Sequence, residues 1–278
     1  MKGIAFGQYY PADSVMHRLD PRAKVIGAVA YIVTAFLCQN LYAFLLLLLS
    51  AVTLTLISRI PFKVVLRSIR ALIFIMAFTA VLNVFWVTDA DAAPILQWKF
   101  ITIYERGIYQ AVFILLRIVS MVIGTSLFLT YTTSPIALTD AIERLLRPLA
   151  KIKVPVHEFA MMMTIALRFI PSIMEETEKI MAAQKARGAD FTTGSLAHRV
   201  KAIIPIIIPL FASSFRRAGD LATAMECRCY HGGEGRTKLR VLRFHGRDVV
   251  ALVGFALFIA AIIAVNILCA HFHWGFTL

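Results

Sequence analysis

Three stretches of the sequence contain residue types that could carry catalytic or metal chemistry. Cys227, Cys229 and His231 are three potential metal ligands, but no clear fourth ligand accompanies them, and a structural zinc site needs four. His157 precedes a glutamate without the second histidine of the zinc-protease pattern His-Glu-x-x-His. The glycine-rich residues 232–237 lack the lysine of a nucleotide-binding P-loop. We therefore predict a protein that is not an enzyme, holds no metal or cofactor, and depends on a partner for energy.

Two arginines are the strongest candidates for a binding site. Each is predicted in the last turn of a helix between small residues, which let another surface approach closely; the triplets are Ala186-Arg187-Gly188 and Cys227-Arg228-Cys229. An arginine in that position can donate a planar fork of hydrogen bonds to a carboxylate or a backbone carbonyl. The alternative is that both arginines only complement the negative end of a helix dipole, worth about 0.3–1 kcal/mol each. The repetition leaves both readings open and suggests two similar docking sites.

The helices that position these arginines belong to a chain with long apolar segments. The sequence is 59% hydrophobic with a mean hydropathy of +0.76, and a membrane span needs about 20 apolar residues to cross about 30 Å. Residues 71–88 and 249–270 are uncharged, and residues 107–133 carry one charge, so each predicts one span. Residues 25–58 are too long for one span and contain the polar pair Gln39-Asn40, which predicts two short helices joined by a tight turn. We predict an all-α polytopic membrane protein with five spans.

The distribution of basic residues predicts the orientation. The chain has 29 lysines and arginines and a net charge of +13. With a cytoplasmic N-terminus, Lys99 and Arg106 lie outside, Arg117 lies within a span, and all the others lie on the cytoplasmic side. Because the basic residues are dispersed at span ends, they are predicted to meet anionic lipid headgroups and not nucleic acid.

The spans divide the chain into three predicted regions. Residues 1–133 form an N-terminal membrane domain, with four spans after a cytoplasmic leader. Residues 134–247 form a cytoplasmic domain of long amphipathic helices that carry the two arginine endings. Residues 248–278 form the final transmembrane helix and an outer tail.

The middle region is predicted to contain three helices. An amphipathic helix over residues 134–148 begins with Ser134 as its cap and lies in the membrane interface. A second helix over residues 155–187 has an apolar first half and a charged second half, which indicates that it leaves the membrane along its length, with a kink near Pro171. A third helix covers about residues 196–230, and its apolar part is too short to span.

Several short motifs are spread from residue 7 to about residue 248. They are Gly7-Gln8-Tyr9-Tyr10-Pro11, His17-Arg18-Leu19-Asp20-Pro21-Arg22-Ala23-Lys24, Thr132-Thr133-Ser134-Pro135, Ala166-Leu167-Arg168-Phe169-Ile170-Pro171, Ala183-Gln184-Lys185-Ala186-Arg187-Gly188 and Arg236-Thr237. In residue type and order they resemble the transmembrane (T) component of energy-coupling factor transporters, the EcfT/CbiQ-like family. The leader and the Cys229–Gly233 ending resemble the subgroup whose module serves several substrate-binding subunits.

The resemblance implies a function and a set of partners. In that family the T component joins two cytoplasmic ABC-type ATPases to a substrate-binding S component in a prokaryotic plasma membrane, and ATP hydrolysis drives vitamin or metal uptake. Coupling helices that end in Ala-Arg-Gly motifs dock in grooves of the ATPases. Ala186-Arg187-Gly188 is a full match to that motif, whereas Cys227-Arg228-Cys229 keeps the arginine and replaces both neighbours with small residues.

One further residue and two alternative functions complete the expectations. An arginine within a span is costly and usually faces protein or water, so Arg117 is predicted to anchor the bundle interior or to border the S component; the alternative is that it snorkels to the membrane surface. The alternative functions are a self-contained transporter or channel that works without ATPases, and a membrane scaffold without an energetic role.

Overall fold

The computed structural model describes residues 9–10, 12–86, 96–98, 101–189, 191, 195–232 and 244–272. The predicted start of the leader, the outer tail and the Arg236-Thr237 motif lie outside these residues. The helices are α1 (Pro21–Leu37), α2 (Leu41–Ile57), α3 (Phe62–Trp86), α4 (Glu105–Thr125), α5 (Pro135–Leu146), α6 (Val156–Ala186), α7 (Leu196–Glu226) and α8 (Gly246–Phe272). A π-helical segment, Ser126–Tyr131, extends α4, and a 3-10 segment, Arg147–Ile152, follows α5. The all-α prediction is confirmed.

A short antiparallel hairpin interrupts the helices between α3 and α4. Its strands are β1 (Leu96–Trp98) and β2 (Ile101–Ile103), and Gln97 pairs with Thr102 at its centre. The sequence analysis did not predict this hairpin. It does not change the fold class, because each strand contains only three residues.

The chain packs as two compact units. The first comprises Met1–Ala141 and Leu242–Leu278, and the second comprises Ile142–Val241. The predicted boundaries after residues 133 and 247 separate membrane from cytoplasm, which packing does not test, so they stay predictions.

The first unit is a helical bundle around an aromatic core. The rings of Phe44 and Phe113 stack with their centroids 5.4 Å apart, and those of Phe128 and Phe255 meet edge-on at 5.1 Å. Gly124 on α4 is required here, because a Cβ atom at that position would lie 2.2 Å from a ring carbon of Tyr31 on α1. Because glycine has no side chain, α1 and α4 can approach each other closely at this position.

Among the residues that the structure describes, five helices are long and apolar enough to cross a membrane, and they differ in part from the five predicted spans. They are Phe62–Trp86, Glu105–Tyr131, Val156–Ala186, Val200–Glu226 and Gly246–Cys269. The two short helices predicted around Gln39-Asn40 are present as α1 and α2, but each has 17 residues and is about 26 Å long, shorter than a typical hydrocarbon core. The prediction counts α1 and α2 as spans and assigns α6 and α7 to the cytoplasmic side because of their charged halves; length and composition alone do not test that assignment.

The second unit is dominated by α6 and α7, each 31 residues long. Arg217 of α7 donates hydrogen bonds to Ser172 and Glu176 of α6, and so clamps the two helices together. At the start of α6, His157 lies 3.1 Å from a carboxylate oxygen of Glu143 on α5. As predicted, α5 ends near Pro148, at Leu146, and α6 ends at Ala186, two residues before Gly188, where the left-handed backbone suits glycine.

Candidate functional site

The end of α6 presents Arg187 on a closed helix terminus. The N–H of Ala189 donates to the carbonyl of Gln184 (3.0 Å), and the N–H of Gly188 donates to that of Lys185 (3.0 Å). Together with the left-handed backbone of Gly188 (φ +87°), these two bonds define a Schellman motif. They pair carbonyls of the last helical turn, and Arg187 is the residue immediately before the left-handed glycine.

The end of α7 has the same backbone geometry. The N–H of Tyr230 donates to the carbonyl of Met225 (3.1 Å), and the N–H of Cys229 donates to that of Glu226 (2.8 Å). Cys229 takes the left-handed position (φ +55°) that Gly188 takes on α6. Arg228 therefore corresponds to Arg187 in backbone position as well as in sequence. The two arginine endings form one structural motif that occurs twice.

Both arginines are available to a partner. All six residues of the triplets are exposed. Neither guanidinium forms a hydrogen bond or an ion pair with any residue that the structure describes. An exposed fork of donors on a rigid helix end, beside small residues, can bind a carboxylate or a row of carbonyl oxygens.

The cysteines beside Arg228 do not form a metal site with described residues. Cys227 and Cys229 are free and exposed, and the described part of the chain contains no group of three or more histidine, cysteine or acidic residues close enough to hold a metal ion. The role of Cys229 in the structure is to adopt the left-handed conformation that ends α7.

Arg117 lies inside the first unit, against the turn between α1 and α2. Its guanidinium donates to the carbonyl of Cys38 (3.3 Å) and lies over the rings of Phe36 (5.8 Å) and Phe44 (5.4 Å). Asn266 of α8 donates to the neighbouring carbonyl of Leu37 (2.7 Å). Two side chains from other helices thus satisfy the last carbonyls of α1, and the ring contacts offset part of the cost of the charge.

The sequence analysis missed a buried polar junction at the opposite end of α1. Asp248, 2% exposed, accepts hydrogen bonds from the N–H groups of Asp20 (2.7 Å) and His245 (2.8 Å), and so joins α8 to the start of α1. Lys24, also 2% exposed, donates to the carbonyls of Thr132 (2.7 Å) and His17 (3.3 Å). Asp20, Lys24, His17 and Thr132 belong to the short motifs quoted in the sequence analysis. Those motifs therefore have a structural role, because their residues hold the starts of α1 and α8 and the end of the α4 extension together.

A cavity of about 840 Å³ lies in the first unit among α1, α2 and α8. Most of the side chains that line it are apolar; Ser50, Thr53 and Arg247 are polar exceptions. Such a lining suits hydrocarbon and offers few groups to orient a polar solute.

Comparison with known proteins identifies the family. The model of the CbiQ family, described as cobalt transport protein, matches residues 12–239, so the class is that of helical, multi-pass transport proteins. The chain is 46% identical over 275 residues to the energy-coupling factor transporter transmembrane protein EcfT of Clostridium kluyveri, covering 99% of both chains. It is 46% identical over 253 residues to EcfT of Bacillus subtilis, covering 91% of this chain and 94% of that one. The chain belongs to the EcfT family of energy-coupling factor transporter transmembrane proteins, which confirms the resemblance.

Proposed function

We propose that this chain is the non-catalytic coupling subunit of an energy-coupling factor importer. It links ATP hydrolysis by two cytoplasmic ABC-type ATPases to vitamin or micronutrient uptake through a separate S component, with its N-terminus on the cytoplasmic side of a prokaryotic plasma membrane. The names of its relatives support the transporter class. The observation that carries the coupling role is the pair of matched, exposed arginine endings on two helices of equal length.

Each arginine ending binds one ATPase. The guanidinium of Arg187 or Arg228 enters a groove, where it pairs with a carboxylate or with carbonyl oxygens that are shielded from water. The loss of one partner of such a desolvated pair costs about 2–5 kcal/mol, which corresponds to a loss of about 30-fold to several thousandfold in affinity. Small residues flank each arginine and keep the helix end narrow enough to enter the groove; they are Ala186 and Gly188 on α6, and Cys227 and Cys229 on α7.

The clamp between α6 and α7 acts as a pivot for the two endings. Arg187 follows Glu176 by eleven residues, and Arg228 follows Arg217 by eleven residues. Each ending therefore extends about 16 Å beyond the clamp along its own helix. When the ATPases close on ATP, the separation of their grooves changes, and two arms of equal length that are held at one point transmit that change toward the membrane. The S component then changes its orientation and releases its substrate.

The alternative of a self-contained transporter receives no support from the cavity in the first unit, because its apolar lining suits lipid or a transmembrane partner better than a polar vitamin. Arg117 is also engaged within the bundle, at the turn after α1, and so we assign it to bundle assembly and not to a solute pathway.

Copurification of variant complexes tests the proposal. Arg187→Glu combined with Arg228→Glu should leave the protein in the membrane with its S component and remove both ATPases. The matched control is Lys179→Glu with Arg216→Glu, which reverses the charge of one exposed residue on each helix away from the endings and should retain both ATPases. Retention of both ATPases by the first variant would refute the docking proposal, and uptake by the chain alone in liposomes, without ATPases, would favour the self-contained transporter.

A further inference from the structure

The connection between α5 and α6 exposes apolar and basic side chains in alternation. Leu149 is 40% exposed, Ile152 is 75% exposed and Val154 is 43% exposed. Arg147 and Lys153 are exposed between and beside them. A connection that faces only water does not usually present three large apolar side chains within six residues, since loops in water are rich in small and polar residues.

The charge of this connection is all of one sign. From residue 144 to residue 156 the sequence contains four basic residues and no acidic residue. Arg147, Lys151 and Lys153 form no side-chain hydrogen bond or ion pair with any residue that the structure describes. The nearest acidic residue before the connection, Glu143, already contacts His157. The three cations are therefore free to bind anions outside the chain.

The backbone holds this connection in a compact shape. The 3-10 segment Arg147–Ile152 ends where the N–H of Lys153 donates to the carbonyl of Ala150 (3.1 Å), and Lys153 itself adopts a left-handed conformation (φ +63°). The N–H of Val156 then donates to the carbonyl of Val154 (2.8 Å) as α6 begins. The basic and apolar side chains thus project from a short folded turn and not from an extended tether.

The position of the connection in the chain puts it at a membrane surface. It follows Glu105–Tyr131, which is long and apolar enough to cross a membrane. It precedes the first half of α6, where Phe159, Met162 and Met163 are exposed apolar side chains. A chain that leaves the membrane after Tyr131 and exposes apolar side chains at the start of α6 lies at the membrane surface between them. In addition, the predicted orientation places this surface on the cytoplasmic side, where the leaflet carries anionic lipids.

We infer that residues 147–154 bind the headgroups of anionic phospholipids. The three cations contact lipid phosphates, while Ile152 and its apolar neighbours enter the boundary between headgroups and acyl chains. Attraction of each cation to an anionic surface strengthens binding by about fivefold, and three cations by about a hundredfold. The contact fixes the start of α6 at the bilayer, and it does not depend on ATPase docking.

Hydrogen–deuterium exchange of the full chain in lipid nanodiscs tests the inference. Nanodiscs of phosphatidylcholine alone are compared with nanodiscs that also contain phosphatidylglycerol. The anionic lipid should slow amide exchange in residues 147–154 by about tenfold or more, and raised salt should reverse part of that protection. The triple variant Arg147→Gln, Lys151→Gln, Lys153→Gln should lose the dependence on lipid charge.

Two further variants separate the contributions and control for charge. Ile152→Ser keeps the cations, so it should retain the dependence on lipid charge but show weaker protection in both kinds of nanodisc. Lys179→Gln with Lys185→Gln removes exposed cations from α6 and should behave like the unaltered chain. Equal exchange in the two kinds of nanodisc would overturn the inference. Protection that appears only when ATPase or S component is added would also overturn it and would assign the segment to a protein interface.

Discussion

Substitution of the residue in the left-handed position should destabilise one helix ending and stabilise the other. Gly188→Ala puts a side chain on a residue with φ +87°, and Cys229→Gly removes one from a residue with φ +55°. No atom lies within 4 Å of the position that a Cβ on Gly188 would occupy. The effect of Gly188→Ala is therefore one of backbone conformation alone and not of steric overlap.

The magnitude follows from this conformational cost. A left-handed backbone costs a residue with a side chain about 1–2 kcal/mol, and the less flexible unfolded chain offsets about 0.5–1 kcal/mol of that cost. Gly188→Ala should therefore favour opening of the α6 end by about 2- to 5-fold. Cys229→Gly removes a similar cost, but the more flexible unfolded chain offsets about 0.5–1 kcal/mol of the gain. The α7 end should therefore close more firmly by only about 2- to 5-fold.

Amide exchange reports these changes directly. The Ala189 and Tyr230 amides make the outer hydrogen bond of the two Schellman motifs, and each should exchange at a rate that follows the opening of its own helix end. Gly188→Ala should accelerate exchange at Ala189, and Cys229→Gly should slow it at Tyr230. Since an open ending cannot bind in a groove, Gly188→Ala should also weaken ATPase binding, by no more than the factor seen in exchange.

Gly219→Ala is the control for the loss of a glycine. Gly219 lies within α7, also has no atom within 4 Å of a Cβ position, and is not in the left-handed region. There the same substitution should stabilise the helix by about 0.5–1 kcal/mol. If Gly188→Ala left the exchange of Ala189 unchanged, or acted like Gly219→Ala, the assignment of the left-handed cap would be wrong.

Three further perturbations test the packing that supports the endings. Gly124→Ala should destabilise the purified protein by about 1–3 kcal/mol, because the new Cβ would overlap the ring of Tyr31; an unchanged thermal unfolding temperature would contradict this. Asp248→Asn should cost about 1–3 kcal/mol, since an amide nitrogen replaces one of the two carboxylate oxygens and cannot accept the backbone N–H that this oxygen binds; unfolding in detergent measures this cost. Arg217→Leu should preserve ATP hydrolysis in the assembled complex but reduce uptake per ATP, and the exchange Arg217→Glu with Glu176→Arg should restore uptake if the clamp is the pivot.

Local residue chemistry predicted many of the helix limits. Ser134 caps α5 as expected, and its hydroxyl accepts from the N–H of Ala137 (3.3 Å). Pro148 and Gly188 mark the ends of α5 and α6 because proline removes a hydrogen-bond donor and glycine tolerates a left-handed backbone. These effects act between residues that are close in the sequence, so the helix limits can be predicted from one sequence without knowledge of the tertiary structure.

Features that depend on distant pairing were not predictable in the same way. The contact between Asp248 and the N–H of Asp20 joins residues 228 positions apart, and neither residue type indicates its partner. At the π-helical end of α4, the hydroxyls of Thr132 and Thr133 both donate to the carbonyl of Phe128 (3.0 and 2.9 Å), and no residue pattern in the sequence indicates this arrangement. The left-handed Cys229 was missed because cysteine is not a usual residue at that position.

Exposure alone does not distinguish Arg187 and Arg228 from other basic residues, since Arg216 on α7 is exposed as well. The distinction lies in the backbone beneath them. Each ending is closed by two hydrogen bonds, one of the endings accepts the strain of a left-handed cysteine, and both extend equally far beyond the clamp of Arg217 and Glu176. An arginine that only complemented the helix dipole would not require a fixed backbone, nor a second arginine at the same distance from the clamp on another helix. A pair of side chains that must enter two grooves together would need both a fixed backbone and equal arms. A loose ending would lose its orientation, and unequal arms would transmit the movement of the two grooves unequally.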